Sequence, residues 1–102
     1  MVLWQFKANQ SAHAQRLEDF ILLHERGETK RCERLYQRLN QELPHLDDKA
    51  LVDDLQRSSM VVDPKTPKPE SLTWKFHVST RNELHKRSEK RLARLREQAE
   101  RP

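Results

Sequence analysis

Both tryptophans and two of the three phenylalanines sit in two short, matching pieces, VLWQFKA at residues 2–8 and LTWKFHV at residues 72–78. Each carries Trp-x-Phe, at Trp4/Phe6 and Trp74/Phe76. No other feature constrains the fold as strongly, because the rest of the chain has little to bury. Fourteen Leu, five Val, three Phe and one Ile make 23 of 102 residues. That is just above the roughly one-fifth below which chains tend towards disorder. A chain of this length is one domain at most and buries only about two-thirds of its unfolded surface. The two aromatic segments are therefore expected to meet in one modest core.

Their patterning predicts strands. Val2, Trp4 and Phe6 alternate with Leu3, Gln5 and Lys7, and Leu72, Trp74, Phe76 and Val78 alternate with Thr73, Lys75 and His77. Met60-Val61-Val62 reads as a brief third strand. Between these pieces the periodicity is helical. Asn9 or Ser11 can cap a helix running to Arg26, with Leu17, Phe20, Ile21 and His24 on its apolar stripe and Gly27 at its C-cap. Cys32, Leu35, Tyr36, Leu39 and Leu43 define a second helix that Pro44 ends. Asp47 can cap a third, stapled by Leu46 and Leu51. Thr80 with Glu83 reads as the capping box of a last helix over about 81–100. The expected fold is α+β. A two- or three-stranded sheet (near 2–7, 60–62 and 72–78) packs on a helical hairpin and a short third helix, followed by a long basic C-terminal helix. Within one domain, residues 1–62 form the body, 63–71 a proline-rich linker loop, and 72–102 the final strand and helix.

The residues argue against most site chemistries. A phosphate-cradling loop needs several glycines, and the chain has one. The histidines at 13, 24, 45, 77 and 85 offer no pair three or four apart, so no metal site is expected. Ser58, Ser59 and Cys32 lack a local base for nucleophilic catalysis. Asp47-Asp48 and Asp53-Asp54 read as a helix cap, first-turn charges and a solvated face. The expectation is a protein that is not an enzyme, with no catalytic residues, cofactor or small-molecule substrate. One cysteine, no recognisable signal peptide and no apolar run long enough for a bilayer point to a soluble cytoplasmic protein away from membranes.

Charge is unevenly divided. Residues 1–63 carry nine Lys/Arg against eleven Asp/Glu, and residues 64–102 carry eleven against five. On the last helix Lys86, Arg87, Lys90, Arg91, Arg94 and Arg101 gather on one side, a stripe suited to phosphates or to an acidic protein surface. No aromatic interleaves with them to stack on bases, so sequence-specific reading of single strands is not supported. The linker holds Pro64, Pro67, Lys68 and Pro69, a stiff segment able to dock on a partner or serve as substrate for a prolyl isomerase.

Two functional classes fit this inventory. One is a small regulator that binds a protein complex acting on nucleic acid; the other is a direct, mostly nonspecific DNA- or RNA-binding protein working through the basic helix. In its small size, near-balanced body, basic tail and Pro64/Pro67/Pro69 stretch, the chain resembles small phage-encoded modulators of the host recombination nuclease RecBCD. That resemblance implies inhibition or redirection of a nuclease-helicase by protein contact, with no chemistry of the chain's own.

Overall fold

The computed structural model describes residues 2–100, with side chains from Gln10 to Ala99. Its regular elements are all helical: α1 spans Val2–Glu25, α2 Thr29–Glu42, α3 Asp48–Ser59 and α4 Leu72–Glu100. A single 3-10 turn, Leu43–His45, joins α2 to α3. No strand occurs among the described residues, so the expected sheet is overturned at all three places. The backbone of 2–7 belongs to α1, residues 60–62 form a turn, and 72–78 open α4. Asn9 and Ser11 lie inside α1 rather than capping it. How Trp4 and Phe6 pack lies outside the described side chains.

The reason for the correction is visible in α4. Its inward face is Thr73, Phe76 and Thr80, all buried, followed by half-buried Leu84. That is a three-four-four spacing, the helical period. Leu72, Trp74 and Val78 are only half-buried. Thr80 is not a cap; deep in the helix, its hydroxyl donates to the Phe76 carbonyl four residues back at 2.9 Å. Glu83 pairs with Arg87 instead.

Contacts fix the helix directions. His13 and Arg16 of α1 reach Glu42 at the end of α2, making an antiparallel hairpin. Ser58 at the end of α3 meets His77 early in α4, while Asp48 at the start of α3 meets Arg87 and Arg91. These contacts make α3 and α4 antiparallel as well. The turn between α1 and α2 is a Schellman motif: Glu28 N–H donates to the Leu23 carbonyl, Gly27 N–H to that of His24, and Gly27 adopts φ +74°. Asp47 caps α3, accepting from Ala50 N–H at 2.8 Å, and Leu46 and Leu51 are both buried beside it.

The core draws one or more residues from every segment: Leu17, Phe20 and Ile21 (α1), Cys32 and Leu39 (α2), Leu43 and Leu46, Leu51 (α3) and Phe76 (α4). Phe20 is its hub, stacked on Tyr36 at 6.3 Å between centroids and tilted against Phe76 at 5.9 Å. At 29 residues α4 is about 43 Å long, at 1.5 Å per residue. It outruns this core, and from Ser88 to Ala99 every residue is exposed. The radius of gyration, 15.9 Å, accordingly exceeds the roughly 13 Å of a compact chain of this length. No helix among the described residues is long and apolar enough to cross a membrane.

Candidate functional site

The projecting part of α4 carries most of the basic residues singled out from the sequence, and the structure divides them by role. Arg87 is a structural clamp. Its guanidinium donates to Asp48 Oδ1 (3.0 Å), Glu83 Oε1 (3.2 Å) and the carbonyls of Leu43 and Pro44 (both 3.3 Å). Those carbonyls sit where α2 gives way to the 3-10 turn, so Arg87 satisfies acceptors that a helix end leaves open. Arg91 donates to Asp48 Oδ2 at 2.7 Å. The Arg91 and Arg87 guanidiniums hold the Asp48 carboxyl below the usual range. Together they brace the arm against the start of α3.

Lys86, Lys90, Arg94 and Arg96 are exposed and make no ion pair or hydrogen bond among the described residues. Arg101 lies outside the described residues. Leu92 and Leu95 share the arm and are 51% and 57% exposed. The arm thus carries cations unpaired among the described residues and, on another side, an uncovered apolar pair.

The loop before α4 is ordered by Asp63. Its carboxylate accepts from Lys65 N–H and from the Thr66 hydroxyl, each at 2.9 Å. Pro64, Pro67, Lys68 and Pro69 are exposed around this turn, and every described peptide bond is trans.

A second constellation went unrecognised in the sequence. His13 is buried between two carboxylates, with Nδ1 3.1 Å from Glu42 Oε1 and Nε2 2.5 Å from Asp54 Oδ2. Arg16 grips the same Glu42 through Nε (3.1 Å) and Nη2. Where both carboxylates are ionised they only accept, so both imidazole nitrogens then donate and the ring is an imidazolium. Burial works against that charge, but the Asp54 and Glu42 carboxylates outweigh it and raise the His13 pKa. Two cations then face two anions, and the quartet is neutral. Asp54, expected on a solvated face, is instead buried. The available signal was spacing: His13 continues the Leu17, Phe20/Ile21 stripe by one helical turn, and Asp54 lies between Leu51 and Ser58 on one face of α3. His13 binds its carboxylates at opposite edges of the ring, and no group of three His, Cys, Asp or Glu among the described residues could hold a metal.

Ser58 and His77 also meet, Oγ to Nδ1 at 2.7 Å. Burial and then Arg81 lower the His77 pKa. Ser58 is itself buried and lies within 3.1 Å of the Leu55 carbonyl, so its oxygen is not presented to a substrate. No family model, curated protein or solved structure matches the chain.

Proposed function

We propose that this is a small non-enzymatic regulatory protein that binds and modulates a protein complex acting on nucleic acid, with the projecting half of α4 as its principal contact. One observation carries the reading. The arm is clamped by Arg87 and Arg91, yet it leaves Leu92 and Leu95 exposed on one side, next to Arg96, and Lys86, Lys90 and Arg94 exposed on another. Leucines left open on a braced helix have no use towards a phosphate backbone and every use in a protein interface. The proline loop, with Pro64, Pro67, Lys68 and Pro69 outward, offers a second contact, including one to a prolyl isomerase. A cytoplasmic setting suits a chain whose one cysteine stays a thiol.

The resemblance to phage modulators of RecBCD names the first complex to test. Purified chain added to RecBCD should inhibit or redirect its nuclease activity at stoichiometric concentration. Generic duplex and single-stranded DNA should bind the chain weakly. The second reading, direct nonspecific binding of nucleic acid, rests on the same free cations. Tight DNA binding with a steep salt slope, and no effect on any nuclease, would establish it instead.

A further inference from the structure

Asp48 stands where the basic side of the arm meets the body. Viewed down α4, Lys90, Arg94, Arg87 and Arg91 fall within about one-third of the circumference. Glu83 lies among them, paired with Arg87, and Glu97 borders them towards the free end. Among the described residues, Asp48 is the only acid that another element sets against this side. Both its oxygens are engaged: Oδ1 accepts from Arg87 at 3.0 Å and Oδ2 from Arg91 at 2.7 Å. A backbone phosphate would offer these guanidiniums the same kind of acceptor, a pair of oxygens sharing negative charge.

The two arginines do not depend on Asp48 equally. Arg87 also holds Glu83 and the carbonyls of Leu43 and Pro44. Arg91 has no other partner among the described residues, and the pair it makes with Asp48 is open to water, its side chains 68% and 50% exposed. An ion pair so exposed stabilises a fold little. The first turn of α3 favours an acid through the helix dipole, but that preference needs no arginine opposite. What the contact changes most is the charge that the arm shows to a partner.

We infer that Asp48 is an internal competitor for phosphate: it occupies Arg91 and so lowers the affinity of the basic face for nucleic acid. The inference rests on the reading that the arm serves a protein contact, and it supplies a reason for a helix this rich in cations to bind DNA weakly. Duplex DNA must displace the Asp48 carboxylate before Arg91 can add a phosphate contact.

The test is a double-mutant cycle on the full chain, read by binding to a mixed-sequence DNA duplex of roughly 20 base pairs at about 50 and about 200 mM salt. Asp48→Asn should tighten binding about fivefold or more at the lower salt. One added phosphate contact should make that gain shrink about threefold at the higher salt. Arg91→Ala should change binding by the parent about twofold or less, and should erase the gain when combined with Asp48→Asn. Simple loss of a negative charge would strengthen binding with or without Arg91, so the cycle separates the two causes. Asp47 still caps α3, and Arg87 keeps Glu83 and its two carbonyls, so each variant should retain the parent's helical circular dichroism. Asp48→Ser should reproduce the gain. Duplex binding no tighter in both Asp48 variants than in the parent would overturn the inference, and so would a gain that persists without Arg91. If the cycle fails in either way while the parent still inhibits the nuclease, the inference falls and the regulatory reading stands. If the parent chain leaves the nuclease untouched, the regulatory reading falls while the cycle still decides the inference.

Discussion

His13 of α1 and Asp54 of α3, 41 residues apart in sequence, meet at 2.5 Å in the interior, and this is the shortest buried tie between the α1–α2 hairpin and α3. Removing one partner of such a pair strands a buried charge, at a cost of about 3–5 kcal/mol. His13→Ala is therefore expected to lose most of the stability a chain of this size has, measured by urea unfolding. His13→Leu/Asp54→Leu should recover much of that loss, since Glu42 keeps Arg16 and no lone carboxylate remains. A double variant no more stable than His13→Ala would show that the pair is not the source of the effect.

The same quartet gives stability a pH dependence. His13 has a raised pKa in the folded state, with burial opposed and outweighed by Asp54 and Glu42. Its contribution is complete below about 6.5 and is lost as pH climbs through the folded value. Burial raises the Asp54 pKa against the pull of His13, which also lowers stability as pH rises. Glu42 is lowered: burial is overcome by Arg16 and His13, so its contribution fades as pH falls below about 4.5. Asp47, Lys49 and Asp53 line a cleft beside His13. His77, lowered by burial and Arg81, works the other way but below the window in which the His13 contribution is lost, its penalty on the fold fading as pH rises towards about 6.5. The difference between the parent and His13→Gln isolates the quartet. That difference should be largest near pH 5–6 and shrink towards pH 9, the range set by the direction of the His13 shift.

What the sequence could and could not reveal follows from this. The ends of elements set by local chemistry were legible: Gly27 at a positive φ, the Asp47 cap, and Pro44 at the close of α2. The two aromatic segments were not, because six or seven residues of alternating polarity fit either period. In LTWKFHV the choice was made by what lies opposite: Phe20 and the α3 face take Thr73, Phe76 and Thr80, and the longer helical repeat prevails. Polar residues hid the core's most consequential contact. A lone His13 and an Asp53-Asp54 pair carry no sign of each other until the hairpin closes. For the basic helix the composition was right but the division of labour was invisible, since Arg87 and Arg91 differ from Lys90 and Arg94 only in facing Asp48.

That division can be measured. Arg87→Ala removes donors to the Leu43 and Pro44 carbonyls and to Glu83, and should destabilise the chain by about 1–2 kcal/mol. Lys90→Ala and Arg94→Ala, on the open side of the arm, should change stability by no more than about 0.5 kcal/mol. Equal losses from all three would mean that the clamp is not specific.

Gly27 tests the turn that forms the α1–α2 hairpin. Its φ of +74° is left-handed, but a Cβ built there meets nothing within 4 Å. Only the backbone preference opposes a side chain, so Gly27→Ala should cost about 1 kcal/mol. Gly27→Asn should cost less, as Asn tolerates this region better. Both variants should keep their helical circular dichroism.

Cys32 reports how the core opens. Its thiol is buried, lies 3.7 Å from the Phe20 carbonyl, and has its pKa raised by burial. Reaction needs the thiolate and access together, so labelling by a disulfide reagent must await opening of the α1–α2 hairpin. With at least about 5 kcal/mol of stability, labelling of the native chain should run about 1000-fold or more slower than in urea. His13→Ala should raise the native rate sharply, because it frees the hairpin from α3. Leu92→Ala/Leu95→Ala should leave it unchanged, because the arm lies outside the core. Fast labelling of the native parent would place Cys32 in a mobile pocket and not beneath Phe20.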